Sequence, residues 1–193
     1  LSLFFLNDLV APFGQNALAA FGIGFRVESV VFLPMIGLSG AFVSAVGYFK
    51  GSRQFEKIHM IHRHALKLLI SFMMVCSIVF FMSPELIYSI FTNEGGVISL
   101  GRDYLRILAL FYPILPLSLL SAAGFQGLGK GYPSLILALV RSGCVSVPTA
   151  YYFTVVRGGP VYYVWVAIAL GDVFSAIFGH IWFKIEQRKL ENP

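Results

Sequence analysis

Residues 17–49 read ALAAFGIGFRVESVVFLPMIGLSGAFVSAVGYF, an unbroken apolar run in which Arg26 and Glu28 are the charged positions. About 20 apolar residues suffice to cross a bilayer as a helix, so this stretch spans one with residues to spare. Its glycines at 22, 24, 37, 40 and 47 allow close helix packing, as small residues do in membrane bundles. Pro34 removes a backbone donor and kinks the helix unless neighbouring groups take up the freed carbonyl.

Outward from this run the pattern repeats. Before it, Leu1–Phe13 reads as the end of another apolar helix, closed by Pro12 and Gly14. The chain opens directly on apolar residues without a basic leader, which suggests part of a longer protein rather than a signal peptide. After it comes Lys50 followed by GSRQFEKIHMIHRHALK, the most basic stretch, predicted as a loop. Further spans are predicted near 65–82, 104–125, 134–156 and 161–183, with a loop or surface helix from Ser83-Pro84-Glu85 to the turn at Asn93-Glu94-Gly95-Gly96.

The composition agrees. Hydrophobic residues make up 58% and charged residues 12% of the 193, and mean hydropathy is +0.80, whereas a soluble domain carries about 25% charge. The expectation is an all-α membrane protein, a polytopic transmembrane helix bundle of about six helices in one unit. The net charge of +5 reflects cations beside apolar spans rather than a nucleic-acid surface.

Nine of the 14 Lys and Arg fall in Lys50–Lys67, the turn at Lys130 and the tail with Lys184, Arg188 and Lys189. The alternate loops, Pro12–Asn16, Pro84–Asp103 and Arg157–Pro160, are poorer in them. The positive-inside rule puts the basic loops and the C-terminus in the cytoplasm. Tyr48, Tyr88, Tyr104, Tyr132, Tyr162, Tyr163 and Trp182 lie near span ends, where such rings settle among headgroups. Cys76 and Cys144, both inside apolar runs, read as small buried hydrophobes rather than a disulfide or metal pair.

Charged groups inside spans are costly, so each is a candidate for function. Arg26 and Glu28, two residues apart, point about 200° from one another on a helix and do not pair directly. One faces a cleft or another helix, or Arg26 snorkels while Glu28 pairs across an interface. Asp172 sits near the middle of the last span, to bind a cation or proton or to bond a neighbouring helix. Arg141, about 10 Å into its span, faces a cleft or snorkels. Asn7 and Asp8 suit interfacial anchoring. Arg102, Asp103 and Arg106 suit a charge clamp at a span start, with Asp103 in a first helical turn. His59, His62 and His64 have metal-like spacing but read as a solvated basic loop. Gly127-Leu128-Gly129-Lys130-Gly131 lacks the spacing, the Ser or Thr and the strand of a phosphate loop. No nucleophilic triad or acid pair is arguable, so neither an enzyme, a cofactor nor a metal centre is expected.

Several segments together resemble the multidrug and toxic compound extrusion (MATE) transporters. These are residues 17–28 (ALAAFGIGFRVE), 34–39 (PMIGLS), 46–53 (VGYFKGSR), 104–107 (YLRI) and 124–130 (GFQGLGK). The resemblance implies the C-terminal six-helix lobe of a twelve-helix fold, from late in helix seven onward. It also implies a plasma-membrane protein whose cleft is completed by a missing N-terminal lobe of the same protein. The implied activity is secondary active efflux of drugs, organic cations or metabolites in exchange for Na+ or H+. Family branches that couple through this lobe use acids in helices seven and ten. Here most of helix seven precedes Leu1, and span 104–125 holds no deep carboxylate, which points to coupling in the other lobe. The pathway candidates are Arg26, Glu28, Gln126, Arg141 and Asp172. The alternatives are a related lipid-linked saccharide flippase, which needs a cationic cleft that only Arg26 and Arg141 supply, and a non-transporting scaffold.

Overall fold

A computed structural model describes residues 2–191, and side chains from 5 to 190. The described residues are helical almost throughout. In order they are α1 (Ser2–Val10), a 3-10 turn (Ala11–Phe13), α2 (Gln15–Gly51), α3 (Phe55–Met82), α4 (Pro84–Ser89) and α5 (Gly95–Ala109). There follow a 3-10 turn (Tyr112–Ile114), α6 (Leu115–Gly127), α7 (Gly131–Leu139), a π-helical segment (Val140–Ser146), α8 (Val147–Tyr151), a second π segment (Tyr152–Val156) and α9 (Tyr162–Glu191). By length and apolarity five stretches can cross a membrane: 15–51, 55–82, 95–127, 131–156 and 162–190. The protein is a multi-pass helical membrane protein.

The helices overrun the predicted spans. α3 begins at Phe55, so the basic stretch expected as a loop is mostly its first three turns. At 1.5 Å per residue its 28 residues extend about 42 Å, beyond the ~30 Å of hydrocarbon. Its cations therefore need not leave the helix to reach water. α5 begins at Gly95, not near Tyr104, which puts Tyr104 about 13 Å along the helix rather than at its mouth. Asp103 accordingly sits two turns in and does not cap a first turn. A clamp forms on the surface in part, where Arg102 reaches Glu85 at 3.4 Å and Asp103 at 3.3 Å, while Arg106 is exposed and in no ion pair among the described residues.

The third span is broken in its middle. Pro113 has no N–H to offer the carbonyl of Ala109, four residues back, and Ser77 of α3 supplies the missing donor, its Oγ bonding Ala109 O at 2.6 Å. The chain turns through 3-10 geometry and restarts as α6 with Pro116 in its first turn, where proline costs no hydrogen bond. α2, in contrast, runs unbroken through Pro34.

The core lies where α2, α5, α6 and α9 converge. Trp165 stacks on Phe21 and meets Tyr104 edge to face, with centroids 5.5 and 4.9 Å apart. Tyr88 and Tyr104 are buried in it, contrary to the headgroup placement that their sequence positions predict. Glycine makes the room: a Cβ at Gly24 or Gly101 would run into the Tyr88 and Tyr104 side chains. Tyr48, Tyr132 and Tyr162 are exposed. Cys144 is exposed too, and Cys76 half-buried, so the buried reading fails for Cys144; both are free thiols.

The loops sort into two ends. At one, Lys50 Nζ bonds Leu128 O at 2.6 Å and Lys130 pairs with Glu186, bringing the basic segments together. At the other lie Asn16, packed on Gly96, and the Arg102–Glu85 pair.

Candidate functional site

Glu28 lies on the inner face of α2 and is 8% exposed. Its Oε1 accepts a 2.8 Å hydrogen bond from the Tyr112 hydroxyl, and the Tyr104 hydroxyl also interacts with the carboxylate. Tyr112 stands in the break between α5 and α6, so the prolines that interrupt the span also aim this phenol at Glu28. Unpaired backbone and broken helices at membrane depth are tolerated where they line a cavity. A cavity of about 310 Å³ has Glu28, Tyr104, Arg141 and Ser146 on its wall and Phe25 and Phe32 beside them, and the irregular backbone that lines it is the π segment of Arg141 and Ser146.

Arg141 occupies the first π segment and forms an ion pair with Asp172 of α9. The segment is the wider, i to i+5 helix, and Ser146 Oγ bonds back to Arg141 O, five residues earlier, at 2.8 Å. Pro148 follows, and its ring would crowd the carbonyl of Cys144 in a regular α-helix; the widened turn is placed to relieve that. α9 comes close to this segment because residue 171 is glycine. A Cβ there would stand 2.7 Å from Arg141 O and against Ser146. The next residue is Asp172, so the glycine that permits contact also delivers the carboxylate to Arg141. Asp172 is 7% exposed, whereas the Arg141 side chain is 45% exposed. A second cavity of about 220 Å³ is lined by Asp172, Arg141, Ser118, Met35 and Phe32. Arg141 thus forms part of both walls, and Glu28 lies within electrostatic reach of Arg141 and Asp172.

The five sequence candidates divide. Glu28, Arg141 and Asp172 come together, with two carboxylates to one guanidinium. Arg26 is exposed and makes no ion pair among the described residues; it and Glu28 diverge as their spacing predicts. Gln126 is exposed at the end of α6, its carbonyl accepting from Gly129 N at 2.9 Å, beside the basic loops and away from both cavities. Asn7 and Asp8 are exposed.

Sequence reasoning missed the tyrosines around Glu28, whose signal was the pair Pro113 and Pro116 beside Tyr112. It missed the Ser118–Ser175 contact of 2.8 Å between α6 and α9. The three histidines do not share a loop or a centre. His64 Nδ1 contacts Met60 O at 2.8 Å, His59 contacts Arg63, and His62 is buried against His180, Phe42 and Phe183. The solvated-loop reading is therefore wrong for His62, because α3 is already helical there and turns it inward.

Known proteins resemble the chain along its length. A probable multidrug resistance protein NorM of Thermotoga maritima is 28% identical over 149 residues, covering 77% of this chain and 32% of that protein. The NorM of Neisseria meningitidis is 26% identical over 179 residues, covering 90% and 38%. Among solved structures, a MOP superfamily transporter from Pyrococcus furiosus superposes with a TM-score of 0.94 at 26% identity, covering all of this chain and 43% of that one. An outward-facing multidrug resistance MATE transporter gives 0.93 at 26% identity, with the same coverage. The chain thus spans between about a third and two-fifths of the length of these proteins. With five stretches long and apolar enough to cross a membrane, this superposition, and the MatE family model matching residues 1–152, the chain belongs to the MatE family.

Proposed function

We propose that this chain is one lobe of a secondary active antiporter in the plasma membrane, exporting small organic molecules in exchange for Na+ or H+. A second lobe faces it across the substrate path, and the basic end, with the C-terminus, lies in the cytoplasm as the positive-inside rule favours. The observation that carries this reading is the carboxylate of Glu28. It is buried at membrane depth, bonded to a neutral phenol rather than a cation, and open to a cavity whose one lining cation, Arg141, is already the counter-ion of Asp172 on the neighbouring cavity. A buried carboxylate without its own cation is suited to accept one.

Alternating access follows if a proton or Na+ at Glu28 favours one arrangement of the bundle and substrate the other. The π segment at Arg141 is irregular backbone at the cavity, and the break at Tyr112 meets the site through its hydroxyl on Glu28; such segments commonly mark transporter sites and helix bulges with a role. Phe25, Phe32 and Met35 give the walls an adaptable apolar surface for varied substrates. The flippase alternative loses support because Asp172 neutralises Arg141, one of its two cations.

The test is efflux of a fluorescent organic cation from vesicles holding the full-length protein, with Na+ and H+ gradients imposed separately. Gradient-driven efflux that falls at least about tenfold in Glu28→Gln supports coupling through this lobe. Efflux untouched by the substitution places coupling in the other lobe, and no efflux under either gradient overturns the antiporter reading.

A further inference from the structure

At the basic end of the bundle α3 and α9 enclose a cavity separate from the two beside Glu28. His59, Arg63 and Lys67 stand one turn apart on α3, and His180 and Lys184 one turn apart on α9; all five line a space of about 260 Å³. No carboxylate lines it among the described residues. Glu186, the acid nearest in sequence on α9, is engaged by Lys130. Deeper in, the wall turns apolar at Leu66 and Ile70.

Its inner side carries unsatisfied polar atoms. His62, 3% exposed, also borders the cavity. Its ring lies 5.8 Å from that of His180, and both His62 Nε2 and His180 Nδ1 are buried without a hydrogen-bond partner. Buried imidazole nitrogens are normally paired, and a ring of cations focused on one small space attracts an anion. Counting 1.5 Å per residue, His59 to Lys67 lie roughly 6–18 Å from the start of α3, the depth of a headgroup and the first methylenes.

We propose that this cavity binds the phosphate of an anionic phospholipid. Arg63, Lys67 and Lys184 meet the phosphate oxygens, the imidazoles donate to them, and Leu66 and Ile70 receive the start of an acyl chain. Basic recesses between transmembrane helices bind phospholipid headgroups in this manner. Guanidinium and ammonium groups provide the charge, and the apolar floor selects a lipid over a free anion.

The experiment uses the full-length protein in neutral detergent, titrated with short-chain phosphatidylglycerol, with phosphatidylcholine of the same chain length, and with inorganic phosphate. Bound adducts are counted by native mass spectrometry, and Tm is followed alongside. Phosphatidylglycerol is expected to bind and raise Tm. The double variant Arg63→Gln/Lys184→Gln is expected to weaken it about thirtyfold, while Lys57→Gln and Lys189→Gln, at the same end but outside the cavity, leave it unchanged. The two cavity residues are exposed, so the lipid-free Tm of the double variant should match the parent and report its folding directly. Equal binding of phosphatidylcholine, or equal affinity in the double variant, overturns the proposal. Inorganic phosphate acting alone with the same dependence on the variants keeps the phosphate site and overturns the lipid as its source.

Discussion

The Tyr112 hydroxyl bonds Glu28 Oε1 at 2.8 Å across 84 positions of sequence, joining the one broken span among the described residues to the longest helix. Both partners are buried, Tyr112 at 1% and Glu28 at 8% exposure. The bond depends on the backbone break, because Tyr112 lies in the 3-10 turn that Pro113 enforces and Ser77 stabilises through Ala109 O. A movement that remade this turn would take the phenol away from Glu28.

Replacing Tyr112 by Phe therefore separates structure from coupling. The ring still fills its place against Phe32 and Phe80, but Glu28 keeps only the Tyr104 hydroxyl as donor, and one lost hydrogen bond costs about 1 kcal/mol. Glu28→Gln removes the charge, keeps a carbonyl acceptor for Tyr112 and turns the other oxygen into an NH2 that the Tyr104 hydroxyl oxygen can accept, so it should be close to neutral for stability. Thermal unfolding in detergent should show a lower Tm for Tyr112→Phe and little change for Glu28→Gln, while gradient-driven efflux falls in both. A Glu28→Gln protein that unfolds earlier than Tyr112→Phe would make Glu28 a structural group.

The Arg141–Asp172 pair is asymmetric, and so are its expected deletions. Arg141→Met leaves a buried carboxylate without its cation, at a cost of about 2–3 kcal/mol, the lower part of the range because the arginine is half exposed. Asp172→Asn leaves a guanidinium that can turn to water and should cost less. In a double-mutant cycle the combined variant Arg141→Met/Asp172→Asn should recover stability relative to Arg141→Met alone, because no buried charge is left without its partner. Additive losses would mean that the two charges do not sense each other.

Much of this was legible in the sequence, for reasons that also explain the failures. Hydropathy marks the spans because lipid contact tolerates few charges, and the isolated Glu28 and Asp172 stand out against it. The 200° divergence of Arg26 and Glu28 follows from helical geometry alone. What failed needed three-dimensional contacts. α3 reaches back to Phe55 because a helix can continue into water when its cations lie along it, which hydropathy reads as a loop. Tyr88 and Tyr104 look interfacial by position, but their burial depends on space left by Gly24 and Gly101 on other helices. The widening at Val140–Ser146 changes the period that a helical reading assumes, and the pairing of Arg141 with Asp172 depends on Gly171 of the following helix.

Tyr88 provides a test of how α4 is locked to the bundle. Its hydroxyl donates to Ala20 O at 2.7 Å, and its ring lies where a Cβ on Gly101 would be. Tyr88→Phe removes one hydrogen bond and should cost about 1 kcal/mol. Gly101→Ala forces a fully buried ring out of its seat and should cost about 1–3 kcal/mol, like other overpacked cores. Tm values in that order support the packing, and a Gly101→Ala protein as stable as the parent would contradict it.

Two glycines of α9, eight residues apart, face different neighbours. At Gly179 an added methyl meets Leu137 side-chain atoms at 3.1 and 3.2 Å, flexible ends that can shift, while helix propensity gains about 1 kcal/mol on replacing Gly by Ala. At Gly171 the same methyl meets the backbone oxygen of Arg141 at 2.7 Å, which moves only with the whole π segment. Gly179→Ala should be neutral or slightly stabilising. Gly171→Ala should lower Tm and also draw α9 away from Arg141, so that adding Asp172→Asn on top of it costs less than Asp172→Asn does alone. Full additivity of the two changes would show that the ion pair does not depend on the close approach at residue 171.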